Sequence, residues 1–410
     1  MRRELTIARL GNKGDGIAET DNGSVFVPFA LPGEDVVAEI ESERAHLLEI
    51  RRAALERAEP ICRHFGECGS CVMQHLDWSR YLEWKRERVI EALSQEGIEA
   101  DRLVDPVRAF GPHTRRRASF AAVKSGNAVT LGFRRALSHE IIDLAECPVL
   151  LPRFEAVVPG LRALLMHLLP DGESRIVVTA CDNGFDVGIE SSARGLGRLS
   201  PKIGQAAEAL GVVRITAGRD PIFTLAAPQV TLAGVKSDLP PGAFLQASGE
   251  AEAAMAEFAM GVAGRAKKVA DLFCGLGAFS FALARRAAVT AIDNDRILMA
   301  ALDGASRRAK GIKPVTMLTR DLMRDPLSPL ELNRFDAVLF DPPRAGAQAQ
   351  AKALVKSRVK KIAAASCNPV TFARDARILV DGGYRLVRVV PIDQFVYSAH
   401  VELVAEFVRS

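Results

Sequence analysis

Long apolar runs are missing from this chain. No stretch approaches the roughly 18 apolar residues a membrane-spanning helix needs, and the opening MRRELTIARLG lacks the apolar core of a secretory signal. A strong excess of one charge is also missing. With 54 basic and 50 acidic side chains the net charge is +4, too mild to identify a nucleic-acid partner, so its distribution has to decide. Cysteine is sparse, seven in 410 residues, and in a chain of this size metal or catalytic roles outrank disulfides. These absences point to a cytoplasmic globular protein with no membrane partner, of two or three domains at about 150 residues each.

One absence is local. Residues 106–138 hold no acid, while Arg108, Arg115, Arg116, Arg117, Lys124, Arg134 and Arg135 accumulate with Phe110, Phe120 and Phe133 between them. Alternation in RRRASFAAV and AVTLGFRRA predicts paired strands with basic outward positions. Such a face would neutralise phosphates while the rings stack on unpaired bases; the plainer alternative is a solvated sheet face. Before it, residues 4–58 read as a β-barrel of about five short strands. The stretch GDGIAETDNGSVFVPFALPGE resembles a TRAM domain, an RNA-binding barrel of OB-like shape, against a small β-domain with another task.

Cys62, Cys68 and Cys71 follow in the order C-x5-C-G-S-C, with Cys147 far downstream before a proline. Zinc sites favour paired short spacings, and only one pair is present. Three local ligands and one distant ligand favour a four-iron iron–sulfur cluster, with zinc or free thiols as alternatives. Four cysteines leave no open iron, which favours a structural or RNA-docking role. Residues 76–99 carry helical spacing, and Trp78, Tyr81 and Trp84 on that helix are expected in a core rather than against bases. Residues 151–240 alternate helices and strands as the rest of an α+β region, Cys181 reading as a small buried hydrophobe. Leu239-Pro240-Pro241-Gly242 breaks the chain. The expected domains are 1–58, 59–242 and 243–410.

From 243 onward strands and helices alternate: strands at 268–273, 289–293, 314–318, 336–340, 362–366, 386–392 and 401–408, the last two without a helix between. This predicts a Rossmann-like α/β fold, a mostly parallel sheet with an antiparallel edge and both faces covered. Ligands of such sheets bind at the carboxyl ends of the strands. Three strands end there in chemistry: DLFCGLG, DPPR and SCNP. Gly275 and Gly277 let backbone approach a ligand at a helix start. Asp293 can accept hydrogen bonds from ribose hydroxyls and Asp321 lies near an adenine amino group, a set favouring S-adenosylmethionine over NAD. Either aspartate alone is as readily a helix cap. Cys367, between Ser366 and Asn368-Pro369, is the candidate nucleophile; the plain alternative is an inert strand-end thiol.

PGAFLQ, DLFCGLGAFS, DPPR, SCNP and HVE in this order, with the four cysteines, resemble the RNA uracil-C5 methyltransferases over essentially the whole chain. The branch resembled carries a TRAM domain and an iron–sulfur cluster and modifies 23S ribosomal RNA. The resemblance implies that Gln246, Phe273, Asp293, Asp321 and Asp341 line the cofactor and base sites, that Cys367 is the nucleophile and that Glu402 is the base, with His400 orienting or packing. Ala278 stands where relatives often have Asn, and Asp293 where Glu is frequent. The chemistry fits: a thiolate adding to uracil C6 makes C5 nucleophilic toward a methyl donor, and a carboxylate then removes the C5 proton. The start of the helix after Pro369 is expected to help deprotonate Cys367, and Arg344 to bind phosphate or bridge two loops. The target uridine must be unpaired or flipped. DNA is not an expected partner, and a monomer is expected. The rivals are a tRNA uracil-C5 methyltransferase, an adenine amino-methyltransferase and a catalytically idle iron–sulfur RNA binder.

Overall fold

The computed structural model describes residues 1–136, 138–191 and 200–409. Six short strands open the chain: β1 (Arg2–Thr6), β2 (Arg9–Leu10), β3 (Gly16–Thr20), β4 (Gly23–Val27), β5 (Asp35–Glu41) and β6 (Arg44–Arg52), in the order β1-β5-β6-β4-β3-β2. This is one strand more than the sequence suggests, the extra being the two-residue β2. Alternating apolar residues (Leu5, Ile7, Val25, Val27, Val36, Ala38) turn inward to form its core. Buried Glu34 ties the barrel to the segment C-terminal to it by accepting from Leu31 N, Ala54 N and Arg57.

The long helix α1 (Trp78–Gln95) is capped by Asp77, whose carboxylate accepts from Ser79 N and Arg80 N. Tyr81 and Trp84 are buried with Leu31 and Met73, between barrel and cysteine segment. Val89, Ala92 and Leu93 on the same helix enter the C-terminal core. The short β7 (Arg108–Ala109) also joins the C-terminal sheet, pairing in parallel with the strand Arg385–Asp393.

The central sheet is seven-stranded: β8 (Arg117–Ser125), β9 (Ala128–Arg134), β10 (Ile141–Asp143), β11 (Gly172–Cys181), β12 (Gly184–Ser191), β13 (Val212–Ala217) and β14 (Asp220–Thr224), in the order β10-β9-β8-β11-β12-β13-β14. Helices α2 (Arg153–Leu168) and α3 (Pro201–Ala209) supply its apolar cover through Phe154, Leu161, Leu165 and Ala207. The basic outer face read from 106–138 is largely neutralised here. Arg108 pairs with Glu257, Arg116 with Glu252, Arg134 with Glu173, and Arg135 with Glu67 and Glu140. Phe120 and Phe133 pack in the core at 5.1 Å between centroids, so they are not free to stack on bases. The acids come from elsewhere in the chain, which local composition does not show. A hairpin of β15 (Gln229–Leu232) and β16 (Val235–Asp238) packs its Val230, Leu232 and Val235 beside Phe281 and Leu302 of the C-terminal region.

The C-terminal sheet is formed by β17 (Lys268–Leu272), β18 (Ala288–Asp293), β19 (Val315–Thr319), β20 (Ala337–Phe340), β21 (Lys361–Ser366), β22 (Arg385–Asp393) and β23 (Glu402–Val408). With β7 the order is β19-β18-β17-β20-β21-β23-β22-β7. The antiparallel strand is not at the edge as the sequence suggests: β23 lies between β21 and β22, antiparallel to both. Two helix layers, α4 (Gly249–Ala263) and α5 (Ala278–Ala284) on one face and α8 (Gln348–Val355), α9 (Pro369–Asp381) and α1 on the other, bury it. The helix α6 (Arg296–Arg308) packs Leu302 beside Phe281 of α5, and the one-turn α7 (Pro329–Leu332) buries Leu332 with Ala351 and Leu354 of α8. Among the described residues no helix is long and apolar enough to cross a membrane. The topology puts the ends of β17, β18, β20, β21 and β22 and the start of β23 on one edge.

Candidate active site

At the end of β17 the chain turns through Phe273, held at φ +63°, into Cys274–Gly277. Gly277 (φ +91°) caps α5; a Cβ there would lie 2.7 Å from Leu302 Cδ1, so the position requires glycine. Gly275 (φ +54°) has open space where a Cβ would point. Asp293 closes this loop: its Oδ2 accepts from Gly275 N at 3.0 Å and its Oδ1 from Asp295 N at 3.0 Å. The cap of α6 is Asp295, not Asp293. Asp321 does local work, its Oδ1 accepting from Met323 N at 3.0 Å, with Arg324 3.6 Å from Oδ2.

The second cluster is a buried relay. Gln246 Nε2 donates to Asp341 Oδ2 (3.2 Å), and Gln394 Nε2 donates both to Gln246 Oε1 (2.8 Å) and to Glu402 Oε2 (2.7 Å). Gln394 Oε1 in turn accepts from Ala247 N at 2.9 Å. Gln394 is absent from the sequence-derived set. A glutamine carries no chemical signature, and only its place at the sheet edge, just past β22, marks it. Burial and the charge of Asp341 hold Glu402 well above the usual carboxylate range, and burial lifts Asp341 to about 7. Two such acids side by side share protons rather than ionise together.

Cys367 follows β21, half-buried. The loop holding it is clipped to the DPPR loop: Asn368 Nδ2 and Thr371 Oγ1 donate to Arg344 O (3.2 and 3.1 Å), while Asn368 Oδ1 caps α9 by accepting from Val370 N at 3.1 Å. The helix start does not win over the thiol. Burial, then Glu402 and Asp341, push Cys367 up to about 11, opposed by Arg344. The resting sulfur is therefore a thiol, and the help in deprotonation expected from the helix start does not offset burial and the two acids. Arg344 Nη2 meets His400 Nδ1 at 3.4 Å, so it joins two loops of the site. His400 lies on the outer side; burial, then Arg344, Lys85, Arg88 and Arg115, lower its pKa.

A further acid unmarked as a site residue in the sequence is Asp271, fully buried under the loop. Its Oδ2 accepts from Ser280 Oγ at 2.5 Å while Oδ1 has no partner, and burial raises it to about 7. Cys274, on the same loop, is buried and pushed well up by burial.

Cys62, Cys68, Cys71 and Cys147 are free thiols that face one another: each of the other three acts electrostatically on Cys71. Burial raises Cys71 to about 12 and Cys147 to about 11. Their two segments are laced together by Arg63 N to Glu146 Oε1 (2.9 Å) and Ala145 N to His64 Nε2 (3.1 Å). Among the described residues no three His, Cys, Asp or Glu side chains are disposed to hold a single metal ion.

Several known proteins are similar to the chain along its whole length. A family model described as tRNA (Uracil-5-)-methyltransferase matches residues 235–407, and a TRAM domain matches residues 2–49. An uncharacterized RNA methyltransferase of Mesorhizobium japonicum is 47% identical, over 99% of this chain and 98% of its own. A 23S rRNA (uracil(1939)-C(5))-methyltransferase of Vibrio vulnificus is 31% identical, over 99% and 96%. The solved tRNA (uracil-54, C5)-methyltransferase of Pyrococcus abyssi, in complex with S-adenosyl-L-homocysteine, superposes with a TM-score of 0.78 over 99% of both chains at 24% identity. With its TRAM barrel, its methyltransferase fold and these relatives, the chain belongs to the S-adenosylmethionine-dependent RNA uracil-C5 methyltransferases.

Proposed function

We propose that this enzyme forms 5-methyluridine in 23S ribosomal RNA with Cys367 as nucleophile and Glu402 as base. The observation that carries this reading is the buried relay Asp341–Gln246–Gln394–Glu402, whose carboxyl charges are felt at the Cys367 sulfur. S-adenosylmethionine supplies an electrophilic methyl group. The open backbone at Gly275, the free lone pairs of Asp293 and the unpaired oxygen of Asp271 fit such a ligand, and we assign Gln246, Phe273, Gly275, Gly277, Asp293, Asp321 and Asp341 to its site. Cys367 Sγ would bond to uracil C6 as its proton passes, by way of the ionised carboxyl, to the uracil O4. C5, then enol-like, would take the methyl group as the donor leaves as a neutral thioether and the O4 proton goes to solvent. Glu402, left ionised, would then accept the C5 proton, the C5–H electron pair closing the C5=C6 bond and the C–S pair returning to sulfur, which takes the proton from Glu402 and restores both the thiol and the carboxylate. Because resting Cys367 is protonated, one carboxyl of the pair must be ionised when the uracil arrives.

We assign residues 1–58 to RNA contact, 59–242 to the cysteine site and its supporting sheet, and 243–410 to methyl transfer, in a cytoplasmic monomer. Cys62, Cys68, Cys71 and Cys147 would hold a 4Fe–4S cluster. Three ligands close in sequence and one distant ligand suit a four-iron cluster, whereas zinc sites favour paired short spacings. The raised thiols of this set would need the cluster's charge to ionise. A brown anaerobic preparation with iron bound supports this; colourless protein with one zinc overturns it.

The tRNA reading keeps one support: the solved neighbour acting on tRNA aligns over the full chain, so barrel and central region alone do not select ribosomal RNA. Transfer of labelled methyl to 23S rRNA and tRNA transcripts, with mapping of 5-methyluridine, separates them. Label in tRNA alone refutes the ribosomal assignment, and label in neither refutes the uracil chemistry.

A further inference from the structure

Four residues outside the reaction grip the segment between β22 and β23, which begins with Gln394 and leads into Glu402. Lys85, on α1, is fully buried and donates to Asp393 Oδ1 and, at 3.0 Å, to Phe395 O. Tyr81, one turn earlier on the same face, donates to Asp393 Oδ2 at 2.8 Å, and its oxygen accepts from Tyr397 N at 2.7 Å. The segment needs holding: Tyr397 sits at φ +60°, a conformation a non-glycine residue keeps only under tertiary constraint. Val72 N and Met73 N, next to Cys71, donate to Tyr397 O at 2.8 and 3.2 Å and pin its other side.

A buried lysine–aspartate pair is an expensive way to stabilise a fold but a stiff way to fix geometry. Its position explains the choice. Asp393 is the residue before Gln394, and Gln394 spends one amide on three partners: Ala247 N, Gln246 Oε1 and Glu402 Oε2. A small shift of the Asp393 backbone would break that amide's contacts and release the Glu402 carboxyl.

We propose that Tyr81 and Lys85 are positioning residues for the base: through Asp393 they place Gln394, and Gln394 aims Glu402 at the proton on uracil C5. The helix that joins the cysteine region to the catalytic sheet is thus part of the active site's support. This rests on the uracil-C5 reading above. The step it governs is proton removal after methyl transfer, so loosening the clamp leaves the Cys367–C6 bond formed and slow to break.

The test uses the full chain, S-adenosylmethionine and the RNA transcript that accepts methyl. Tyr81→Phe removes both hydroxyl contacts; Lys85→Met combined with Asp393→Asn removes both charges together and carries the test if the first protein does not fold. A misplacement near 1 Å predicts roughly a 100-fold loss in kcat, with KM for RNA and Kd for S-adenosylmethionine within about twofold of wild type. A denaturant-stable protein–RNA band should accumulate toward the level seen with Glu402→Gln. Exposed Glu87→Ala, on the same helix, should match wild type. Unchanged kcat, or a loss accompanied by weaker S-adenosylmethionine binding and less adduct, overturns the proposal. If Glu402→Gln itself traps nothing, the uracil chemistry fails; if it traps adduct and the clamp variants do not, only the positioning role fails.

Discussion

On the proposed reading, two carboxyls and a thiol divide the chemistry at residue scale. Glu402 must be ionised to accept a proton, and burial beside Asp341 holds it well up. The single-turnover rate should therefore rise with pH above the ordinary carboxylate range. Asp341→Asn removes the neighbouring negative charge, lowers the Glu402 pKa and should move that rise to lower pH; a shift to higher pH contradicts the pairing. Asp271 gives a stability counterpart. Its folded pKa of about 7 lies above the ordinary aspartate value of 3.8, so the folded form holds the proton more tightly. Its contribution is complete at low pH and is lost as pH rises through about 7, at up to about 1.4 kcal/mol per unit. Thermal unfolding at pH 5 and pH 8 should show a smaller drop for Asp271→Asn than for wild type. Gly277→Ala places a Cβ against Leu302 at positive φ. We expect a loss of about 1–3 kcal/mol and weaker S-adenosylmethionine binding, read by calorimetry.

Strand ends and helix starts act as units at element scale. The loop between β21 and α9 holds Cys367 because Asn368 performs two tasks, capping α9 and tying the DPPR loop through Arg344 O. Asn368→Ala should cost about 1 kcal/mol of stability for the cap and a larger share of kcat, because the sulfur loses its anchor. Asn368→Ser, which keeps a cap but cannot reach Arg344 O in the same way, should recover most of the melting temperature and little of the rate. Equal recovery of both would mean that the tie to Arg344 is idle. On β23, strand order matters as much as strand identity: only its insertion between β21 and β22 brings the first residue, Glu402, level with the end of β21.

Across the whole molecule, the catalytic sheet is braced by segments distant in sequence. Arg116, at the entry to the central sheet, donates to Gln246 O at 3.0 Å and pairs with Glu252 at 2.6 Å, both side chains largely buried. Burial raises Glu252 despite its partner. Glu252→Ala would strand a buried guanidinium, and we expect a loss of about 3 kcal/mol in chemical denaturation together with weaker S-adenosylmethionine binding, since Gln246 shares the brace. Unchanged binding would mean that the central sheet supports the fold alone.

The linear chain determined more of the site than of its behaviour. Cys367, Asp341, Asp293 and the loop glycines stand at strand ends inside compact motifs, so their place on one sheet edge could be read from the sequence, while the roles proposed for them came with the family resemblance. The barrel was legible for the same reason, being written in a short, local pattern matched by a TRAM domain over residues 2–49. Tertiary structure decided what those groups feel. Gln394 acquires meaning only when β22 and β23 bring it to Gln246 and Glu402. Arg108, Arg116, Arg134 and Arg135 pair with glutamates that lie outside the acid-free stretch, most of them far along the chain, and the Cys367 thiol is raised by two acids and burial that no neighbour in sequence announces. The reason is range: motifs and turns are set by bonds between near neighbours, whereas protonation, ion pairing and rigidity depend on which distant groups folding encloses with them in a medium that screens poorly.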